Sequence, residues 1–195
     1  MTRFFILFTF LFNTLFLTTL SAEQESFPFI GVTVSTQSVD LQPIRQDTGV
    51  ERPTSVTETT FGLQYGVQTK DYRTTFTYEG NSNFQTIDVE VDYILFDEMF
   101  GTPKIRPYVG ATLGYVIYDK ELITQYNEDR IVDDANNDRN TSISNSDGYY
   151  GLDVGFLFYV TDDIDLDVGY HYYFMDRLEP LDSMSGATFS LHYFY

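Results

Sequence analysis

Strict alternation of apolar and other residues, repeated over eight segments of roughly ten residues, constrains this chain more than any other feature. Ile30, Val32 and Val34 open the first segment. Phe61, Leu63, Tyr65 and Val67 mark the second, and Tyr72, Phe76 and Tyr78 the third. The fourth carries Ile87, Val89, Val91, Tyr93 and Leu95, and the fifth Val109, Ala111, Leu113, Tyr115 and Ile117. Tyr150, Leu152, Val154, Phe156 and Phe158 form the sixth. The seventh runs from Ile164 through Leu166, Val168, Tyr170 and Tyr172 to Phe174, and Ala187, Phe189, Leu191, Tyr193 and Tyr195 form the eighth. A period of two is the period of a strand, because successive side chains of an extended backbone point to opposite sides. The expectation is eight antiparallel β-strands.

The links between segments alternate in length. Lys70-Asp71 and Thr161-Asp162-Asp163 are tight turns, and the link near Asp97–Lys104 is short. The links after the first, fifth and seventh segments are longer, reaching about thirty residues between Tyr118 and Asp147, while Gly80–Asn83 is a tight turn on that side. Short turns at one end and long loops at the other are the pattern of a membrane-spanning barrel. A tilted strand needs ~9–11 residues to cross the bilayer, which each segment supplies.

Alternation does not say which face is outside, but volume does. An eight-stranded barrel has an interior just wide enough to be filled by side chains. The apolar face, rich in Phe and Tyr, is too bulky to point in. The opposite face supplies Gly31, Gly62, Gly66, Gly110, Gly114, Gly151, Gly155 and Gly169. The apolar face therefore points to lipid, with Tyr72, Tyr78, Tyr150 and Tyr193 among its interfacial aromatics. Closure follows as well, because an open sheet edge leaves backbone groups unpaired in hydrocarbon. The fold class is all-β: an eight-stranded antiparallel up-and-down transmembrane β-barrel over residues 23–195.

Residues 1–22 read as a signal peptide. Arg3 is the basic start, Phe4–Leu20 an apolar run, and Leu20-Ser21-Ala22 offers small residues for cleavage ahead of Glu23-Gln24-Glu25. Composition removes other classes. With 29 acidic against 11 basic residues, the net charge of −18 argues against nucleic acid as a partner. The absence of cysteine excludes a disulfide scaffold, thiol catalysis and Cys-ligated metals.

Arg106-Pro-Tyr-Val-Gly-Ala-Thr-Leu-Gly-Tyr115, Gly151-Leu-Asp-Val-Gly-Phe156 and Thr161-Asp-Asp-Ile-Asp-Leu-Asp-Val-Gly-Tyr170 resemble segments of the small OmpA/OmpX-like, opacity-type outer-membrane barrels. The alternation of Phe189, Leu191, Tyr193 and Tyr195 is similar to the terminal signal read by the outer-membrane insertion machinery in that family, although Phe is commoner than Tyr at the last position. The resemblance implies a bacterial outer-membrane location, lipid and lipopolysaccharide as surroundings, a monomer, and a non-catalytic role in envelope integrity or surface contact.

Inward positions carry charge: Arg73 and Glu79, then Asp88, Glu90 and Asp92, then Arg106, Asp153, Asp165, Asp167 and His192. If Gly80–Asn83 sets the register, Arg73 stands opposite Glu90. The expectation is a polar plug toward the short-turn end, in which Arg73 and Arg106 share Glu90, Asp92, Asp165 and Asp167. Buried charges have to be paired, so this plug reads first as a structural core and second as an ion path. A lipid A-modifying enzyme is the rival from another class. The two histidines, His171 and His192, are its available bases, and no serine stands beside His171, so no catalytic residue is assigned.

The long loop holds eight acids and three bases, among them Asp133, Asp134 and Asp138 beside Asn136. Asp134-x-Asn136-x-Asp138 is similar to the start of a calcium loop, but Arg139 and Asn145 stand where Gly and Glu belong. The stretch therefore reads as a solvated surface loop open to ligands, and no metal or cofactor is assigned. Asp138-Arg139-Asn140-Thr141-Ser142 also resembles an extended bacterial glycosylation sequon.

Overall fold

The computed structural model describes residues 25–45, 51–118, 146–175 and 181–195. Eight strands follow one another: β1 (Phe27–Arg45), β2 (Glu51–Gln68), β3 (Tyr72–Gly80), β4 (Phe84–Ile94), β5 (Ile105–Tyr118), β6 (Ser146–Tyr159), β7 (Ile164–Met175) and β8 (Leu181–Phe194). Each pairs antiparallel with its neighbours in sequence, and β1 pairs with β8, closing the barrel. Residues 1–22, read from the sequence as a signal peptide, the loop residues Asp133, Asp134, Asn136 and Asp138, and the sequon-like stretch 138–142 lie outside the described residues.

Burial is inverted relative to a water-soluble protein. The side chains hidden from solvent are largely polar: Thr33, Ser35, Gln64, Arg73, Thr75, Asp92, Asp153, Asp165, Asp167 and Ser190 among them. The exposed ones include Phe61, Leu63, Tyr65, Leu113, Leu152, Val154, Phe189 and Leu191. Monomers in water rarely expose a contiguous apolar patch beyond a few hundred Å², whereas here exposed large apolar side chains line the outer wall on all eight strands, from Ile30, Val32 and Val34 on β1 to Phe189, Leu191 and Tyr193 on β8. That wall faces hydrocarbon, and closure leaves no backbone edge open within it.

The glycines are where the interior needs room. A Cβ at Gly155 would stand 2.7 Å from Tyr108 Cε1, and one at Gly169 would stand 2.5 Å from its Oη. A Cβ at Gly110 would collide with Asp92. Tyr108, Tyr149 and Tyr173 lie against glycines of neighbouring strands, which is how so narrow a tube holds tyrosines.

Two expectations are corrected. The link after β1 is not a long loop. β1 and β2 run on as a paired ladder to Arg45↔Glu51, with an irregularity between Leu41 and Ile44. Thr36, Gln37, Ser38, Thr57 and Glu58 carry this extension, and polar residues on both faces hide the period that betrays a half-buried strand. The β3–β4 register is also shifted. The turn closes through Asn81 N to Phe84 O (2.9 Å), and Asn81 Oδ1 accepts from the amides of Asn83 (2.7 Å) and Phe84 (2.8 Å). This Asx turn centres the hairpin one residue later than Gly80–Asn83 implied. Arg73 therefore faces Asp92, and Glu90 faces Thr75.

Candidate functional site

The charged interior is built in layers. On β3, alternation turns Arg73 inward, and the register sets Asp92 of β4 beside it. Arg73 Nε meets Asp92 Oδ2 at 2.7 Å, Nη1 meets Asp167 Oδ2 of β7 at 2.7 Å, and Nη2 lies 3.6 Å from Glu90 Oε1. Tyr108 of β5 lies against the guanidinium, with Cζ 4.7 Å from the ring centroid, and its hydroxyl donates to Asp167 Oδ1 (2.9 Å). One cation thus holds three carboxylates from β4 and β7, a bond across the barrel that the fork shape of guanidinium suits and a lysine would not reproduce.

Two predicted members of this plug are elsewhere. Arg106 does not join Arg73. Its Nε donates to Phe96 O (2.9 Å), Nη1 to Lys70 O (2.6 Å), and Nη2 meets Asp97 Oδ1 at 3.4 Å, so it fastens the β4–β5 turn to the β2–β3 turn. Facing inward fixed its side of the sheet, but its height is at the mouth, four positions from Gly110, which pairs with Asp92. Asp165 is bound not by a guanidinium but by His192, whose Nδ1 lies 2.7 Å from Asp165 Oδ1 and whose Nε2 lies 2.8 Å from Gln64 Oε1. β7 and β8 pair these residues directly.

Farther toward the loop end, carboxylates are met by neutral donors. Asp153 accepts from Thr112 Oγ1 (2.6 Å) and Tyr173 Oη (2.9 Å), and Asp88 from Tyr149 Oη (2.8 Å). Glu79 accepts from Thr60 Oγ1 (2.7 Å), Ser35 Oγ (3.1 Å) and Gln37 Nε2 (3.3 Å). Sequence reasoning marked Glu79, Asp88 and Asp153 as inward but did not foresee these hydroxyl partners. Inward parity of Thr60, Thr112, Tyr149 and Tyr173 was the signal available.

A cavity of about 20 Å³ lies among Glu79, Asp88, Glu90, Asp153, Asp167 and His171. That is room for about one water, not a channel. Phe84, Val116, Tyr149, Tyr173, Met175 and Met184 close the lumen above it, and Ile94, Tyr108 and Leu157 form an apolar cluster below. His171 points inward, its Nδ1 3.2 Å from Thr188 Oγ1 and its ring stacked on Tyr173 (centroids 4.5 Å apart). Phe189, Leu191, Tyr193 and Tyr195 all face outward at the β8 end of the apolar wall.

No family model and no curated protein matches the chain. Solved structures do. Neisserial surface protein A is similar over 86% of this chain and 97% of its own, with a TM-score of 0.55 and 16% identity. Outer membrane protein H (OprH) of P. aeruginosa is similar over 87% of this chain and 99% of its own, with a TM-score of 0.55 and 20% identity. The shared fold is that of the small outer-membrane barrels. The likeness spans essentially all of both neighbours, so their barrels and this one are of one size.

Proposed function

We propose that the protein is a non-catalytic barrel of the bacterial outer membrane that acts through what it raises above the bilayer, by surface contact or by supporting the envelope. The observation that carries this reading is a contrast between lumen and rim. The lumen is packed down to a cavity of about 20 Å³, whereas the β1–β2 ladder continues past its neighbours. Pairing of β2 with β3 ends at Phe61↔Gly80 and that of β1 with β8 at Leu41↔Leu181. Among the described residues, 51–60 of β2 therefore have no strand partner along their β3-side edge, where Asn81 Nδ2 donates to Thr59 O (3.2 Å). At ~3.3 Å per residue that edge is roughly 30 Å long. Free edges are templates for an added strand, and soluble proteins normally blunt them. β5 ends at Tyr118 and β6 begins at Ser146, and the acidity of the sequence joining them suits cationic ligands or divalent ions bridging to lipopolysaccharide.

A lipid-modifying enzyme lacks an observation in its favour. Such chemistry needs a base facing lipid, and His171 and His192, both of the chain's histidines, are buried in the lumen. A general diffusion pore is disfavoured by the closed interior.

The test is a pair of truncations, one shortening β1–β2 to a turn between Ser38 and Thr57, the other replacing 119–145 with a turn. Both variants should remain heat-modifiable outer-membrane barrels while cell adhesion, or exclusion of a lipophilic dye, drops in at least one. Adhesion and dye exclusion unchanged in both would refute the reading. A change in lipid A mass that depends on His171 would replace it with the enzyme.

A further inference from the structure

The ten-residue link from β4 to β5 is more than a connection. Among the described residues, positive φ occurs at Phe96 (50°), Phe100 (55°) and Gly101 (74°), all in this one turn. Met99 and Thr102 exchange N–H···O bonds of 3.1 Å in both directions, which leaves Phe100-Gly101 as the two central residues of a tight hairpin turn with left-handed backbone at both positions. Asn or Asp before Gly is the ordinary occupant there, because a bulky residue strains in that conformation. Phe100 nevertheless stands at the first position with 82% of its surface exposed, and Phe96, also left-handed, is 66% exposed. Neither ring is needed by the core, and the backbone would be easier without either.

Arg106 builds the turn's posture. It holds the Phe96 carbonyl and the Lys70 carbonyl with one guanidinium, and Lys70 Nζ meets Asp97 Oδ2 at 2.8 Å. The Lys70 ammonium hydrogen-bonded to Asp97 keeps that carboxyl below its ordinary range, so the tie is ionic. Strain fixed by dedicated contacts, at a position displaying apolar surface, is a mark of a binding element.

Three features name the occupant. The turn continues the lipid-facing wall, since Tyr93 is the last outward residue of β4 and its ring packs on Tyr72 of β3 (centroids 5.2 Å apart) just before Phe96. It lies at the short-turn end, which faces the periplasm in barrels of this build. Its acids Asp97 and Glu98 stand against Lys104 within the turn and Lys70 and Arg106 beside it, the last two both meeting Asp97. An aromatic-tipped turn whose acids have cations beside them suits the headgroup layer.

We propose that residues 95–104 form a lipid-binding turn, in which Phe96 and Phe100 insert among phospholipids of the periplasmic leaflet and Arg106 is the positioning residue. This rests on the outer-membrane reading above.

The chain has no tryptophan, so a single introduced one reports its own surroundings. Full-length Phe100→Trp and Phe96→Trp, refolded in phosphatidylethanolamine–phosphatidylglycerol vesicles, are compared with Tyr93→Trp within the apolar wall and Asp162→Trp in the exposed β6–β7 turn at the same end of the barrel. Brominated lipid should quench Phe100→Trp nearly as strongly as Tyr93→Trp, and acrylamide should reach it several-fold less than Asp162→Trp. Adding Phe100→Asn to Phe96→Trp should reduce the lipid quenching although Asn suits the turn's backbone, which a purely structural role would not do. Phe100→Trp open to acrylamide and untouched by brominated lipid, with Tyr93→Trp quenched, overturns the proposal and leaves the turn to a periplasmic protein. If Tyr93→Trp is itself unquenched, the membrane reading fails first and this one falls with it.

Discussion

Replacing Arg73 by methionine removes one positive charge from a place where three carboxylates depend on it. Methionine keeps most of the volume and the stem against Tyr108. Asp92 and Asp167, each 2.7 Å from the guanidinium and both buried, are left as anions without a cation, and Glu90 loses a weaker contact. Breaking a buried pair from one side costs about 3–5 kcal/mol, because the stranded charge keeps its desolvation penalty and loses its compensation. With two close partners, Arg73→Met should sit at the upper end of that range. The assay is urea unfolding of the barrel in phospholipid vesicles, followed by tyrosine fluorescence and gel mobility, with the slope checked so that a shifted midpoint is a change of stability. Adding Asp92→Asn and Asp167→Asn should restore roughly half of the loss, since a neutral amide costs far less to bury than an unpaired carboxylate. A cost below about 1 kcal/mol for Arg73→Met, or no recovery in the triple variant, would refute the view that this cation holds the lumen together.

Three further outcomes follow from the same structure. Val89→Arg, at the middle of β4 on the outward face, should cost about 2–4 kcal/mol in the same vesicles, as a charge at bilayer depth does, and an effect near zero would mean that this face is not in hydrocarbon. Gly169→Val should abolish refolding, because its Cβ would stand 2.5 Å from Tyr108 Oη while the nearest backbone atom of the adjoining strand, Val154 O, is 3.6 Å away. Tyr108→Ala in the same chain should partly rescue it; refolding of the single variant at the normal yield contradicts the packing. Lys70→Ala should move the titration of Asp97, followed by carboxyl-carbon NMR, upward toward the ordinary 3.8, since the depressed value comes from the Lys70 hydrogen bond and charge. The Lys70–Asp97 tie is present above that ordinary value, is lost as pH falls through the depressed one, and at the alkaline side is lost only as pH rises through the Lys70 value, which stands above its ordinary 10.5.

Much of the architecture was legible because a lipid-facing wall forces alternation. Ile87, Val89, Val91 and Tyr93 have no alternative face, so β4 and its parity could be read residue by residue. The upper halves of β1 and β2 were not legible. Above the bilayer the outward face meets water instead of lipid while the inward face stays polar, as Gln37 and Thr60 on Glu79 show, and Thr36–Ser38 and Thr57–Thr60 carry no apolar signal. Parity told which charges face inward, but height depends on register, and register on a turn. Asn81's side chain, capping two amides, moved the β3–β4 hairpin by one residue and gave Arg73 a different partner across the ladder. Arg106 and Asp165 were misassigned for the same reason, since each found a partner at its own level: the turn carbonyls for one and His192 for the other. Phe96 and Phe100 passed unnoticed because left-handed phenylalanine is not something a sequence announces.

The central claim, a closed barrel with its apolar wall in lipid and its polar residues inside, is tested most directly by gel mobility of the protein taken from outer membranes. The account predicts a band that migrates as a compact species unboiled and shifts to the mobility of the unfolded chain on boiling. A band in the soluble periplasmic fraction, unaffected by boiling, would contradict it.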